Sequence, residues 1–138
     1  PQAIRVATAL STAAGFGDRA KFLERDALDV PDSLRGSTDV VLSNCFAEHL
    51  AEPERLFQAT CDLLRPKGLA FITVALTAAQ VDHVYEFRRE SEVVTMCESN
   101  GLRVLDMLSS GPQRTLPKAQ FLPRTVAVVV QKRTNDIF

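Results

Sequence analysis

The sequence has little net charge and no long hydrophobic run. Its 16 basic and 17 acidic side chains give a formal net charge of −1, which provides no general attraction to nucleic acid or to an anionic membrane surface. The longest apolar run, residues 69–76, is far shorter than the roughly twenty residues of a membrane-spanning helix. The chain does not open on a basic segment followed by an apolar one, so nothing in it predicts secretion. We therefore expect neither a nucleic-acid partner nor a membrane partner.

Cysteines are also few, and their arrangement argues against a metal site. Cys45, Cys61 and Cys97 are odd in number and widely spaced, whereas a zinc site needs paired ligands at short spacings. No metal is expected on this pattern. Small buried hydrophobic side chains in a reducing compartment are the simpler interpretation. The expected location is the cytoplasm.

The chain has the size and composition of a single globular domain, residues 1–138. Of its side chains, 46% are apolar and 24% are charged, so it can bury a sizeable core. Apolar residues recur at helical spacing in some segments and form short β-branched runs in others. This pattern predicts helices over residues 2–14, 53–65 and 90–99, and strands over residues 22–25, 39–43, 69–76, 102–108 and 125–131.

Strands that alternate with helices predict an α/β fold with right-handed crossovers and a mainly parallel sheet. The last two strands have no helix between them, so they could pair antiparallel across a long loop. In open α/β sheets, ligands bind at the carboxyl ends of the strands. The segments at three such ends are therefore expected along one rim: residues 24–26, 43–45 and 75–77.

Three segments resemble one protein family. The segment "FLERDALDVP" is similar to the family's β-strand and the acidic turn that follows it, which lies over the adenine of the cofactor. "DVVLSNCFAEHLAEPERLFQATCDLLRPKGLAFITV" resembles a fourth strand, crossover helix and fifth strand. "DHVYEFRRESEVVTMCESNGLRVLDM" resembles a later segment in which His-x-x-x-Phe precedes a helix and a Gly-led strand. The family is the class I S-adenosylmethionine-dependent methyltransferases, especially the small-molecule branch that includes ubiquinone-biosynthesis O-methyltransferases. The resemblance covers most of residues 1–130. It implies a Rossmann-like doubly wound sheet, S-adenosylmethionine as cofactor and a small-molecule acceptor.

The resemblance assigns the cofactor side of the site to two segments. Asp26 follows a strand end, where its carboxylate could accept the exocyclic amine of the adenine while the amides of Ala27 and Leu28 meet the ring. The alternative is that Asp26 only caps a turn. The methionine end of the cofactor is expected beside the residues that end the central strand, Ser43, Asn44 and Cys45.

The acceptor side is expected near two histidines. His49 lies in "AEHL" and His83 in "DHVYEF", and an imidazole can accept a hydroxyl proton near neutral pH as the methyl group moves. Either could be a catalytic base, although a single histidine more often caps or packs than catalyses. Phe46 and Tyr85 are further candidates for the lining of the acceptor pocket.

The sequence departs from the family in its first half. The Gly-rich loop that approaches the cofactor is missing, because Gly15 and Gly17 follow a helix rather than a strand. The acidic residue that holds the ribose hydroxyls is missing as well. The chain is therefore expected to begin past the first half of the cofactor site and to lack the first two strands of the family fold. A gap of roughly 10 Å would separate residues 22–25 from the central strand, and its open edges favour self-association or a partner chain.

The leading hypothesis is methyl transfer from S-adenosylmethionine to an oxygen or nitrogen of a small molecule. This chain would be the C-terminal two-thirds of the enzyme and would be inactive alone. One alternative is a non-catalytic methyltransferase-like subunit that completes its sheet against a partner chain, which it scaffolds or regulates. Another is a different Rossmann-like nucleotide-binding protein.

Overall fold

The computed structural model describes residues 2–78, 80–111 and 124–134. All three predicted helices and four of the five predicted strands are confirmed, with small shifts at their ends. The loop expected between the last two strands falls mostly outside the described residues. None of the described helices is long and apolar enough to cross a bilayer. In chain order the elements are α1 (Gln2–Ala13), β1 (Thr38–Asn44), α2 (Glu54–Leu63), β2 (Leu64–Leu76), α3 (Glu90–Ser99), β3 (Leu102–Ser110) and β4 (Arg124–Lys132).

The four strands form one open sheet in the order β1-β2-β4-β3. β1 and β2 are parallel and are joined by the crossover helix α2. β4 lies between β2 and β3 and is antiparallel to both, which confirms the antiparallel pairing considered for the last two strands. The α/β class and the open Rossmann-like sheet are confirmed. The described sheet is mixed rather than mainly parallel, because β4 returns beside β2 without a crossover helix.

The prediction of a strand over residues 22–25 is wrong. These residues carry no strand hydrogen bonding, and Phe22 and Leu23 are exposed. A strand needs a neighbour to satisfy its backbone N–H and C=O groups. In the described part of the chain no strand lies beside this segment, so a locally strand-like sequence stays irregular.

The core lies on one face of the sheet, under α2 and α3. Phe57 of α2 and Val93 of α3 are fully buried against alternate residues of β2, such as Ile72 and Val74. Burying a large apolar side chain of this kind contributes about 1.5–3 kcal/mol. The crossover helix therefore fixes β1 and β2 side by side, with their carboxyl ends at the same rim.

The turn between α2 and β2 differs from expectation. The predicted helix ends at residue 65 and the predicted strand begins at residue 69, whereas β2 begins at Leu64. It continues through Pro66-Lys67-Gly68 with a register shift opposite Thr38 and Val40. Gly68 is required here, since a Cβ would lie only 2.9 Å from the carbonyl oxygen of Arg65. The irregularity lets the strand start directly at the end of the helix.

Candidate functional site

The polar break at the end of β1 is held in place by β2. The backbone N–H of Cys45 donates to Oγ1 of Thr73 at 2.9 Å, and the Thr73 hydroxyl donates to Oδ1 of Asn44 at 2.6 Å. Cys45 itself has a left-handed φ of 45°, a conformation that non-glycine residues seldom adopt. The chain thus turns sharply out of the sheet at a point fixed by side-chain hydrogen bonds.

Two cavities lie on either side of this turn. The first, which we call the histidine cavity, has a volume of about 380 Å³ and is lined by residues that include Cys45, Glu48, His49, Ala75, His83 and Arg124. The second, which we call the β1 cavity, has a volume of about 360 Å³ and is lined by residues that include Ala27, Leu42, Ser43, Asn44, Phe46 and Leu56. Because Asn44 and Cys45 are consecutive, the two cavities are adjacent.

Both histidines lie in the histidine cavity, with ring centroids 5.0 Å apart and ring planes at 86°. Nδ1 of His49 donates to the backbone carbonyl of Asp82 at 3.0 Å, and Nδ1 of His83 donates to that of Ala78 at 2.5 Å. A carbonyl oxygen can only accept, so each neutral ring carries its hydrogen on Nδ1. The Nε2 lone pair of each ring is left for another partner.

Glu48 is a site residue that the sequence reasoning missed. Its side chain is 1% exposed; Oε1 accepts from the backbone N–H of Ala75 at 3.3 Å, and Oε2 has no hydrogen-bond partner among the described residues. An unsatisfied buried acceptor costs about 1–3 kcal/mol. The only signal in the sequence was its position beside His49, and an acidic residue in a polar stretch does not reveal that it is buried.

The residues predicted to contact the cofactor are distributed over different cavities. Ala27, Ser43 and Asn44 meet in the β1 cavity, whereas Cys45 lines the histidine cavity. Phe46, expected beside the acceptor, lines the β1 cavity instead.

The acidic turn forms the contact expected of a turn cap. Oδ1 of Asp26 accepts from the backbone N–H of Leu28 at 2.9 Å, which is the alternative considered for this residue. The second carboxylate oxygen of Asp26 is the group that would contact an adenine.

Tyr85 is placed away from the histidine cavity. Its hydroxyl donates to Oε2 of Glu92 at 3.4 Å, and its ring packs against Phe87 with centroids 4.7 Å apart. Burial, reinforced by the Glu92 carboxylate, raises the pKa of the Tyr85 phenol. The Tyr85 side chain therefore contacts the start of α3 and is not part of the lining of the histidine cavity.

Residues 1–118 match the model of a family described as a methyltransferase domain. The chain belongs to this methyltransferase family. Its members are S-adenosylmethionine-dependent class I methyltransferases, so the resemblance seen in the sequence is confirmed. The comparison with curated proteins found no match.

Solved structures of the same fold include proteins with different reactions. The [4+2]-cyclase SpnF superimposes with a TM-score of 0.77 at 11% identity, over 95% of this chain and 63% of that one. The mitomycin 7-O-methyltransferase MmcR gives 0.70 at 20%, over 96% and 40%. The Burkholderia thailandensis 1,6-didemethyltoxoflavin-N1-methyltransferase, solved with its acceptor and S-adenosylhomocysteine, gives 0.67 at 17%, over 91% and 56%. This chain thus spans about two fifths to two thirds of their lengths. Likeness at such low identity shows the fold alone.

The described residues fit one side of an S-adenosylmethionine site. The β1 cavity combines apolar walls with a few polar groups, which is typical of cofactor sites. Oδ1 of Asn44 is taken by Thr73, which leaves the amide N–H groups to donate. Among the described residues, the lining of this cavity contains no carboxylate for the ribose. Gly15, at φ 77°, follows α1 rather than a strand. Of the acidic turn, only Ala27 lines this cavity, because Asp26 lines a neighbouring one and holds the Leu28 N–H. The fit is therefore to the methionine end of the cofactor, with Ala27 as the contact towards the adenine.

Proposed function

We propose that the chain is part of a methyltransferase that transfers a methyl group from S-adenosylmethionine to an oxygen or nitrogen of a small molecule. One observation carries this proposal: a cavity with two Nε2 lone pairs adjoins, across the turn at Cys45, a mostly apolar cavity at the end of β1. A cofactor and an acceptor placed in these cavities would meet at the rim of the sheet, where ligands bind in such folds.

In this proposal the β1 cavity holds the cofactor and the histidine cavity holds the acceptor. Ala27 would contact the adenine, and the second carboxylate oxygen of Asp26 would reach it from the neighbouring cavity, while the Leu28 N–H stays bonded to Asp26. Ser43, Asn44 and Phe46 would contact the remainder. The bound cofactor supplies a methyl group on a sulfonium, which is a good leaving group. The protein then mainly has to align the acceptor and exclude water.

The two imidazoles are the proposed bases. Their Nδ1 hydrogens are held by the carbonyls of Asp82 and Ala78, so each ring is fixed with Nε2 as a proton acceptor. His49 or His83 would take the proton of an acceptor hydroxyl or amine as the methyl group arrives. Tyr85, which lies outside the cavity lining, would have no direct role.

A second candidate function is the non-catalytic subunit. It is favoured by apolar side chains on the open side of β1, where Val40 and Leu42 are 54% and 75% exposed. A partner chain that covered this surface would complete the sheet. For either function the expected location is the cytoplasm, in agreement with three free cysteines.

The test uses the full protein that the gene encodes. Calorimetry with S-adenosylhomocysteine measures cofactor affinity, and transfer of a labelled methyl group to a panel of hydroxyl and amine compounds measures activity. His83→Ala and His49→Ala are expected to lower turnover by about a hundredfold where the residue is the base, with little change in cofactor affinity.

Asn44→Ala is the matched control for the cofactor side. It should raise the dissociation constant of S-adenosylhomocysteine by about three- to tenfold through one lost hydrogen bond. Near-normal turnover in both histidine variants would mean that neither histidine acts as a base and that the protein only aligns the acceptor with the methyl group. A folded protein that binds no S-adenosylhomocysteine would favour the non-catalytic subunit.

A further inference from the structure

We propose that Glu48, His49 and His83 form a binding site for a first-row divalent transition-metal ion at the wall of the histidine cavity. One ligand atom from each of the three residues lies within 4.8 Å of the others. Ligand atoms bound tetrahedrally at 2.0–2.1 Å are about 3.4 Å apart, so closing the site requires shifts of about 1.4 Å or less.

The buried carboxylate of Glu48 provides an independent indication of a ligand. Its Oε2 has no hydrogen-bond partner among the described residues, although the side chain is 1% exposed. The bond from the Ala75 N–H to Oε1, at 3.3 Å, holds the carboxylate in place. The carbonyl of the same residue accepts from the N–H groups of Val84 and Tyr85, at 2.9 and 3.0 Å. The backbone is thus fixed on one side while one carboxylate oxygen lacks a partner on the other.

The histidines are oriented as metal ligands usually are. A metal-bound histidine typically donates its other ring N–H to a carbonyl or carboxylate, which fixes the ring and its tautomer. His49 and His83 each make such a bond through Nδ1. They are the only two histidines in the sequence, and both face this cavity.

The donor set selects the kind of ion. Two imidazoles and one carboxylate suit Zn²⁺, Fe²⁺, Co²⁺ and Ni²⁺, whereas Mg²⁺ and Ca²⁺ prefer all-oxygen sites. Three protein ligands leave coordination positions open, as in catalytic rather than structural metal sites. A small molecule in the cavity could then reach the ion.

The charges around the site are compatible with a cation. Oδ2 of Asp82 lies 3.6 Å from Nδ1 of His49, so a carboxylate stands beside one of the proposed ligands. Arg124 also lines the cavity, and its guanidinium is paired with Glu90 at 3.4 Å. The inference does not rest on the proposed function. Methyl transfer and the metal site are compatible, but a bound ion would take both Nε2 lone pairs and contact the acceptor, so the histidines would then be ligands in place of the proposed bases.

The test is a titration of the metal-free protein, expressed in full from its gene, with Co²⁺ and Zn²⁺. We expect one equivalent of Co²⁺ to give visible d–d absorption, and Zn²⁺ to displace it. The side-chain NMR signals of both histidines should shift together. A millimolar excess of Mg²⁺ should not compete.

Two variants and a control locate the ion. Glu48→Gln, which is nearly isosteric, and His83→Ala should each weaken Co²⁺ binding tenfold or more. Glu52→Gln makes the same chemical change on an exposed side chain and should leave binding unchanged. Circular dichroism checks that each variant keeps its helices, and His49→Ala replaces any variant that does not.

Three outcomes would overturn the site. The first is that neither ion shows saturable binding at micromolar concentration. The second is that Glu48→Gln and the histidine variants bind Co²⁺ as well as the unmodified protein. The third is a strong thiolate-to-cobalt charge-transfer band, which would place the ion on Cys45. Because these measurements do not involve S-adenosylmethionine, the metal site and the proposed methyl transfer can fail separately.

Discussion

At the scale of single residues, burial controls the chemistry of Cys97. Its side chain is fully buried in the core. This burial, together with the neighbouring Glu98 carboxylate, raises the pKa of its thiol to about 12. The thiolate is the reactive form of cysteine, so Cys97 is inert at neutral pH. Its folded pKa lies above the ordinary value of about 8.5, so the protonated thiol is favoured by the folded state.

This shift predicts a loss of stability in alkaline solution. Below about pH 8.5 both states are protonated and the full contribution of Cys97 is present. Between about 8.5 and 12 the unfolded thiol ionises and the folded one does not, so the free energy of unfolding falls by up to about 1.4 kcal/mol per pH unit. Urea unfolding at pH 8 and pH 10 measures the slope. Cys97→Ala should flatten it, whereas Val93→Ala, a core truncation on the same helix that keeps the thiol, should not. Equal slopes in all three proteins would contradict the assignment.

At the scale of elements, the start of α3 depends on one side chain. Oε1 of Glu92 accepts from the backbone N–H groups of Arg89 at 2.9 Å and Arg88 at 3.1 Å, and Oε2 accepts from the Tyr85 hydroxyl. These bonds satisfy donors that the first turn of a helix leaves open. They also tie the segment that carries His83 to the helix.

Glu92→Ala should therefore destabilise the chain by about 1–2 kcal/mol, measured by thermal or urea unfolding. The control is Glu98→Ala in the last turn of the same helix. A negative charge there opposes the helix dipole, so its removal should be neutral or slightly stabilising. If the two substitutions cost the same, the cap at Glu92 contributes little.

At the scale of the whole molecule, one face of the sheet is covered and the other is open. α2 and α3 bury one face, while apolar side chains such as Leu42 and Phe71 remain exposed. In the described part of the chain, β1 pairs with β2 alone and has no strand on its other edge. α1 buries none of its residues. Exposed apolar faces and strand edges of this kind promote association.

The 138-residue chain is therefore expected to self-associate or to bind a partner chain. Dynamic light scattering measures the size of the particles it forms in solution. Leu42→Lys places a charge on the exposed face beside the open edge and should reduce association. Val81→Lys makes the same change in a loop, where Val81 is fully exposed, and should have no effect. A monodisperse monomer in the unmodified chain would show that this surface needs no partner.

Local patterns in the sequence were sufficient for most of the elements. α2 begins directly after Pro53 and carries its apolar residues at helical spacing, and α3 ends before Gly101, which adopts a φ of 77°. Short apolar runs predicted β1 and β4, because buried strands are rich in β-branched residues. Each of these signals depends only on residues a few positions apart in the sequence. The elements could therefore be predicted without knowledge of the tertiary structure.

Tertiary structure decided what local patterns could not. Residues 22–25 are strand-like in sequence but have no neighbouring strand in the described part of the chain. A strand forms only where hydrogen-bonded partners lie beside it, whatever its local propensity. Glu48 and His83 are distant in sequence and meet only because β1 and β2 are parallel and end at one rim. The sequence by itself determined the helices, the strands after residue 38 and the methyltransferase resemblance. The buried carboxylate beside two histidines depends on long-range packing, since burial and pairing are properties of the folded chain.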